Sequence, residues 1–467
     1  MALLASPGPQ VTPSATATVQ PGNYITNFDF LNQYLPDIYA DEFERYGNRT
    51  IASLLRLTGS EIPTNSDQIK WTEQGRLHTI YKDLTTATAD AAGTSTFVSA
   101  GGTCNFRVNE TVIISDNTTT ISGKAVISSV TAATGTFIVE WYGAGGQPAG
   151  MQASLGLSSF VYGSEFRKGT AGMAGSNEAD TEFFQNKPII IKDHYTVSGS
   201  DMAQIGWVNI SGEGLADGYY WFMKSEHDTR KRFEDHMEMG MIEGVSAENG
   251  SAAETYLSDN TGGNNAGTEG MFEAVESGGN VWDSGNPTNL SDWDTVVRRM
   301  DKQGSIRENV VYAGRDMSLD IDDFLAAQNS HGEGGTSFGM FSNSEQMALN
   351  LGFNSFRRGE YDFYKTSWKY LNDYTLRGGI TGGKINGVLI PVGETSVYDQ
   401  ILGKNATQPF LHTKYRTSGH ENRRYKTGLT GGAGGANTDN IDTMSIDFLT
   451  ERALCTMGRN NFMLFKG

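Results

Sequence analysis

Apolar residues recur with a helical period over residues 211–244, SGEGLADGYYWFMKSEHDTRKRFEDHMEMGMIEG. At about 100° per residue, one arc of such a helix collects most of the apolar side chains. Ser211 or Asp217 can cap the first turn, and Gly244 can supply a left-handed residue after the last. The pattern therefore predicts one amphipathic helix, called the long helix below. Its apolar arc comprises Tyr219, Phe222, Met223, Phe233, Met237 and Met241.

Two charged residues interrupt this apolar arc. Glu226 and Arg230 lie within it, one helical turn apart, and can form an i,i+4 ion pair. Asp228 with Arg232 and Lys231 with Asp235 repeat the spacing on other faces. We therefore expect the two ends of the helix to pack on different apolar partners.

The residues before the long helix change from a polar arm to strand-like segments. Residues 1–22 are rich in Ala, Pro, Ser and Thr, which is typical of an extended arm, and 28–57 reads as short helices broken near Pro36 and Gly47. From Ile69 the apolar period is two, which predicts a hairpin turning at Gln74 and Gly75, with a return strand over 187–199. Residues 96–160 predict a small β-barrel or sandwich inserted in this long two-stranded loop.

The residues after the long helix predict a compact unit of helices and strands. A polar connection, 245–287, encloses one short helix, EGMFEAVES. Helices are predicted for SDWDTVVRRMDKQG and MSLDIDDFLAAQNS, and strands for NVVYAG, YDFYKTSWKYL and KINGVLIPVG. The final segment reads as two strands joined near Gly458, the last of which carries Phe462, Leu464 and Phe465 and packs on the long helix. The fold class is therefore α+β.

Composition and charge exclude several function classes. The 467 residues carry a formal net charge of −18, which argues against a surface that grips phosphate. The arginine pairs at 298–299, 357–358 and 423–424 are interpreted as solvated faces or subunit contacts. Cys104 and Cys455 are the only cysteines, so neither a disulfide framework nor a cysteine zinc site is expected. No signal peptide and no membrane-spanning segment are expected, and the chain is predicted to be made in a cytoplasm.

Two motifs resemble catalytic signatures without their required context. RGGITGGKI at 377–385 matches the phosphate-binding G-x-x-x-x-G-K pattern, but a strand follows where a helix should begin, which indicates a glycine turn. GTSFG at 335–339 matches a nucleophile elbow, with Ser337 followed by Asp362 and by His412 or His420. Polar segments flank that motif on both sides, so a loop is the better interpretation.

Metal-binding patterns are equally weak. The histidines show no zinc spacing, and DNTGGNNAG at 259–267 lacks the terminal Glu of a calcium loop. Asp320, Asp322 and Asp323 are interpreted as acids of a first helical turn. We expect no enzyme activity, no cofactor and no metal.

The order of arm, long β-loop, long helix, α/β unit and closing strands resembles the major capsid protein family of tailed bacteriophages. The fold of that family, the Johnson fold, is shared by herpesvirus capsid proteins. NKPIIIKDHYTVSGSDMAQIGWVN, GGNVWDSGNPTNLSDWDTVVRRMDKQGS and the final NFMLFKG look most like the major capsid proteins of crAss-like gut phages. This resemblance covers nearly the whole chain.

The resemblance implies a division of the chain and a structural, non-catalytic role. The subunit would assemble into the icosahedral shell that encloses the double-stranded DNA of a tailed phage, as hexamers and pentamers of itself, without covalent cross-links. Separate scaffolding, portal and auxiliary or decoration proteins, and packaged DNA bound without sequence preference, would be the other partners. The implied parts are an N-terminal arm (1–62), an E-loop (63–95 and 161–205), its all-β insertion (96–160), a peripheral domain (206–290) with spine helix 211–244, an axial domain (291–425) and closing strands (426–467).

Three other possibilities remain open at this point. An encapsulin-type compartment shares the fold, and a surface or tail adhesin could bind glycans through the inserted β-domain. A hydrolase built on Ser337 is the third possibility. Shells, trimers or monomers in negative-stain images would separate them.

Overall fold

A computed structural model describes residues 61–78, 80–89, 93–151, 156–203, 221–257, 266–329, 354–399, 404–435 and 437–467. Strands make up nearly all the regular structure up to Ser198, and helices and strands alternate after it. The chain divides into two compact units, which are described separately below. One is Trp71–Phe184, called the barrel unit. The other, called the main unit, combines Gln185–Gly467 with the residues up to Lys70.

The strands and helices are numbered in chain order. The strands are β1 (Glu61–Thr64), β2 (Ile69–Gln74), β3 (Ile80–Ala89), β4 (Thr94–Ser99), β5 (Glu110–Asp116), β6 (Ser122–Thr131), β7 (Thr136–Trp141), β8 (Leu157–Ser164), β9 (Thr181–Asn186), β10 (Ile189–Ser198), β11 (Asn280–Trp282), β12 (Glu308–Ala313), β13 (Ser355–Arg358), β14 (Tyr361–Ser367), β15 (Ile385–Pro391), β16 (Glu394–Asp399), β17 (Lys404–Pro409), β18 (Leu411–Arg416), β19 (Lys426–Gly431), β20 (Thr443–Thr456) and β21 (Met463–Lys466). The helices are α1 (Gly199–Met202), α2 (Trp221–Glu243), α3 (Ala252–Leu257), α4 (Met271–Gly278), α5 (Leu290–Gln303), α6 (Arg315–Asn329) and α7 (Lys369–Asn372).

The main unit contains two larger sheets. The five-stranded sheet has the order β1-β18-β20-β10, and β19 also pairs with β20. The six-stranded sheet has the order β11-β21-β15-β12-β14-β13. Every residue of β15 is buried, because apolar side chains cover both faces of that sheet.

The two faces of the six-stranded sheet carry separate hydrophobic cores. Trp293 of α5 is the centre of one core, with ring centroids 4.9 Å from Phe356 and 5.2 Å from Phe363. The other core joins Met241 and Ile242 of α2 to side chains of β15 and β21. Residues at its two ends set the bounds of helix α5. The Asn289 side chain caps its start, and Gly304, with a left-handed backbone, ends it.

The barrel unit closes on itself in the order β3-β4-β7-β6-β5-β8. Alternate residues of its strands point inward and form a core that includes Phe97, Ile114 and Phe137. The barrel extends from Ile80 to Ser164. It therefore takes in β3, the start of β4 and the end of β8, which fall outside the expected 96–160 insertion.

The predicted hairpin at Gln74 and Gly75 is wrong. β2 pairs with β9, and β10, the expected return strand, pairs with β20 instead. The Gly75 amide donates to the Asp180 carbonyl at 2.7 Å, so the chain continues from there into the barrel without turning back. A period of two identifies a strand but not the strand beside it.

The end of the chain is also rearranged relative to the prediction. β20 and β21 are joined by left-handed Gly458 as expected, but they belong to different sheets. Phe462 and Leu464 share a core with α2, whereas Phe465 lies in the opposite core with Trp293. The strand thus packs on the long helix with only one of its faces.

Most predicted elements beyond the long helix are confirmed. α4, α5 and α6 and strands β12, β14 and β15 match the predicted helices and strands within a few residues. Helix α6 begins at Arg315, ahead of the predicted start. Asp320, Asp322 and Asp323 therefore lie within the helix, and their assignment to a first turn is wrong. Asp322 pairs with Lys365, and Asp320 accepts from Asn286 at 2.6 Å.

Candidate functional site

The long helix α2 is attached to the five-stranded sheet through Phe233. This side chain is fully buried. Its ring stacks on Phe448 of β20 at 5.6 Å and meets Tyr425 edge-on at 5.5 Å. Aromatic pairs in these geometries add to the stabilisation from buried area.

The C-terminal turn of α2 is attached to the six-stranded sheet. Met241 and Ile242 are buried with Val388, Ile390 and other core residues. Glu243 accepts a hydrogen bond from the Tyr370 hydroxyl at 2.6 Å and one from Arg377 Nη1 at 3.1 Å. Burial and the bond to Glu243 raise the pKa of Tyr370 well above its usual range. One helix thus contacts both sheets of the main unit.

The residues predicted for the apolar arc are partly described. Phe233 and Met241 are buried and Met237 is half-buried. Phe222 and Met223 belong to α2, but the structure does not describe their side chains. Ser211, Asp217 and Tyr219 lie outside the described residues. How the first half of the predicted arc packs therefore stays a prediction.

Two details of the helix differ from the sequence prediction. Arg230 pairs with Glu234, at 3.9 Å, rather than with Glu226 among the described residues. Gly244 does not have the left-handed backbone expected of it. A Cβ there would lie 2.6 Å from the carbonyl oxygens of Gly240 and Thr268, so close backbone packing excludes a side chain at this position.

A cluster of charged residues joins β1 to the rest of the five-stranded sheet. Glu61 of β1 accepts from Arg452 Nη1 at 3.2 Å and from Arg424 Nε. Arg452 is 6% exposed, and its other donors reach Thr450 Oγ1 and the Arg424 carbonyl. Burial lowers the pKa of Arg452, while Glu61 opposes that shift. This cluster, together with the parallel pairing of β1 with β18, holds the first described strand in place.

Glu451 is the second acidic centre of this cluster. It pairs with Arg416 at 3.2 Å and with Arg423 at 2.9 Å, and Arg416 also pairs with Asp67. Arg423 and Arg424 thus form ion pairs within the chain, while the Arg424 side chain remains 57% exposed. Their interpretation as a solvated face or a subunit contact stays a prediction. Arg357 and Arg358 likewise pair with Asp362 and Asp294. Sequence reasoning missed the pairs of Arg358 and Arg423 because Asp294 and Glu451 are remote from them in sequence.

Asn186, the last residue of β9, joins separate segments of the main unit. It is buried, and its Nδ2 donates to the carbonyls of Glu269 and Leu454 at 2.8 and 2.7 Å. Its Oδ1 accepts from the Glu269 amide and from Thr268 Oγ1. Three separate segments are joined by one side chain, and an isolated Asn in a sequence carries no signal for this role.

The catalytic candidates do not form a site among the described residues. GTSFG, with Ser337, lies outside them. Asp362 pairs with Arg357, and His412 contacts the Pro409 carbonyl at 3.1 Å. Burial lowers the pKa of His412, and Lys414 adds to that shift.

The phosphate-loop match is a turn, as predicted. Gly383 is left-handed, β15 follows at once, and Lys384 pairs with Asp316 at 3.1 Å. A Cβ at Gly379 would clash with the Tyr374 carbonyl oxygen. Tight backbone packing therefore explains why at least this position of the motif is a glycine. No group of acidic, histidine and cysteine side chains within the described ranges could hold a metal ion. Among those ranges, no helix is both long and apolar enough to cross a bilayer.

Comparisons with known proteins find similarity only at the level of solved structures. No family model and no curated protein matches the sequence. A structure titled "Capsid structure of the Cyanophage P-SCSP1u" is 7% identical, with a TM-score of 0.41 over 93% of each chain. A structure from Gordonia phage Cozz is 9% identical, with a TM-score of 0.39 over 99% of each chain. One titled "Asymmetric unit of bacteriophage PhiM1 mature capsid" is 8% identical, with a TM-score of 0.39, over 93% of this chain and 91% of that one.

Proposed function

We propose that this chain is the major capsid protein of a tailed bacteriophage, a structural subunit without catalytic activity. The main support is the attachment of α2 to both sheets of the main unit, through Phe233 at one and Met241 at the other. A helix held in this way keeps the two sheets in a fixed relation, as a subunit of a thin wall requires. The order of elements that carries the sequence resemblance is consistent with this role.

The charges of the chain fit a wall that encloses DNA without gripping it. The net charge is −18. Several arginines of the main unit are already paired with carboxylates of the same chain, as in the Glu61 and Glu451 pairs. Free cationic surface is what raises affinity for DNA, so packaged DNA would be held by confinement.

The proposal includes the finer assignments from the resemblance. The parts would be an arm (1–62), an E-loop (63–95 and 161–205) carrying the barrel, a peripheral domain with the spine helix, an axial domain (291–425) and closing strands. The subunits would form hexamers and pentamers by non-covalent contacts in the host cytoplasm. Scaffolding, portal and auxiliary capsid proteins would be the other partners in the virion, and a crAss-like phage is the proposed source.

Negative-stain electron microscopy of the purified chain tests this proposal. We expect closed shells, and particles from infected cells should protect double-stranded DNA from nuclease. Shells that hold protein and never DNA would favour an encapsulin-type compartment, and discrete trimers would favour an adhesin. In hot detergent the shells should yield a single 50.7 kDa band. A ladder of larger bands would contradict non-covalent assembly.

A further inference from the structure

An apolar groove opens in the main unit, where β15 ends and β18 begins. Its volume is about 260 Å³, larger than the cavity of roughly 150 Å³ that takes up a benzene molecule in an engineered protein core. Among the described residues that line it, none is charged and only Tyr312 carries a polar side-chain atom. This surface, called the β15–β18 groove below, includes Val310, Tyr312, Ile390, Val392, Phe410 and Leu411.

The β15–β18 groove suits apolar side chains better than the backbone of an added strand. Pro391 and Pro409 also line it, and proline has no backbone N–H to donate to a strand. Tyr312 and Phe410 belong to the buried core that includes residues of α2, whereas Val392 is 41% exposed. Apolar side chains entering the groove would therefore extend this core outward and bury surface that otherwise contacts water.

The first described strand leads to this groove. β1 runs parallel to β18, with Glu61 opposite Thr413. Residues before Glu61 therefore approach the start of β18, where Phe410 and Leu411 line the groove. Neighbouring strands lie about 4.8 Å apart, and the four residues from Leu57 to Glu61 span roughly 14 Å when fully extended. Leu57 is thus tethered within reach of the groove.

The segment just before β1 supplies apolar side chains. It reads IASLLRL over residues 51–57 and lies outside the described residues. Arg56 is its only charged residue, and its large apolar residues are Ile51, Leu54, Leu55 and Leu57. Leu54 and Leu57 are three residues apart, which places them on one face of the helix predicted for this part of the sequence. Leucines grouped in this way favour an apolar partner.

We propose that the β15–β18 groove binds Leu54 and Leu57 of the same chain. Residues 58–60 connect them to β1, and a short flexible tether gives a local concentration on the order of millimolar. A second copy in dilute solution would compete for the groove at a far lower concentration. This contact sets the path by which the N-terminal residues leave the main unit, and it does not depend on whether the chain forms shells.

Trypsin cleavage after Arg56 measures the contact on the intact chain. The Arg56–Leu57 bond fits a protease site only while the segment is out of the groove, so its cleavage rate follows the released fraction. The unmodified chain should be cut there at least about tenfold more slowly than a free peptide of residues 50–62. Val392→Glu places a charge in the groove and should raise the rate by roughly the same factor. Val108→Glu makes the same change at a valine of the barrel unit that is 43% exposed, and it should leave the rate unchanged.

A variant of the segment tests the partner of the groove. Leu54→Asn changes none of the described residues, and it should raise the cleavage rate as Val392→Glu does. Unassembled subunits, isolated by size exclusion, are used throughout, because a contact within one chain needs no shell. Mass spectrometry of the released fragments identifies the bond that was cut.

Unmodified subunits that are cut as fast as the peptide, equal rates for the two valine variants, or no effect of Leu54→Asn would each overturn the contact. Protection that is lost on dilution would also overturn it, because the segment would then come from a second copy. Shell formation is scored separately by electron microscopy. Subunits that never form shells but keep the protection would contradict the proposed function and leave this contact intact.

Discussion

Glu61 Oε1 lies 3.2 Å from Arg452 Nη1, which joins the first described strand to β20, the longest strand among the described residues. Arg452 is almost completely buried, whereas Glu61 is about a quarter exposed, at 26%. Arg452 also donates to Thr450 and to the Arg424 carbonyl, so its guanidinium is well satisfied only while Glu61 is present. The pair therefore couples the position of β1 to the folding of the sheet.

Glu61→Gln should destabilise the main unit. Removing one partner of a buried ion pair leaves the other charge uncompensated, at a cost of roughly 3 kcal/mol. Urea unfolding followed by tryptophan fluorescence measures the loss. Glu421→Gln breaks an exposed pair with Lys426 and should leave the midpoint unchanged. Equal effects of the two substitutions would show that Glu61 contributes no more than a surface pair.

Phe233→Ala should be one of the most damaging single substitutions in α2. The ring is fully buried against Phe448 and Tyr425, and its removal leaves a cavity that costs about 3–5 kcal/mol. Phe183→Ala makes the same chemical change at a side chain that is 73% exposed and should cost little. Thermal unfolding of both variants gives the comparison. A stable Phe233→Ala protein that still forms shells would contradict the proposed role of α2.

The sequence predicted the elements more reliably than it predicted their neighbours. Caps such as Asn289 and Gly304 are local, so the bounds of α5 follow from residues within the helix itself. Strand partners are not local. Nothing within residues 69–74 indicates that β2 pairs with β9, more than a hundred residues later in the chain, or that β21 leaves β20 for the other sheet.

The attachments of the candidate site were also only partly predictable. Phe233 follows from helical periodicity, because burial of one stripe is the general rule for such helices. The Glu61–Arg452 pair and the hydrogen bonds of Asn186 join residues that are distant in sequence. A charged or amide side chain in the sequence does not indicate which distant residue it will contact.

Gly244→Ala should destabilise the end of α2 by about 1–3 kcal/mol. The reason differs from the usual one for a helix-ending glycine, because its backbone is not left-handed. The added methyl group would lie 2.6 Å from two carbonyl oxygens, which are main-chain atoms that cannot move aside. Gly428→Ala is the matched control, since a Cβ there meets nothing within 4 Å. Chemical denaturation should separate the two variants, and similar midpoints would remove the steric explanation.

His412 should make the protein less stable in weak acid. The side chain is 1% exposed, and burial lowers the pKa of its imidazole below the ordinary value of about 6.5. The unfolded chain therefore takes up a proton as the pH falls through about 6.5, whereas the folded protein does not until the pH reaches the lower folded-state pKa. Within that window, stability falls with decreasing pH by at most about 1.4 kcal/mol per pH unit.

The comparison of His412→Gln with the unmodified chain isolates this contribution, because the carboxylates common to both proteins cancel. Denaturant unfolding at roughly pH 7 and pH 5 should show a smaller loss for the variant. His194→Gln makes the same chemical change at an exposed histidine of β10 and serves as the matched control. If His412→Gln loses as much stability as the unmodified chain, the buried imidazole takes up its proton as readily in the folded protein as in the unfolded one.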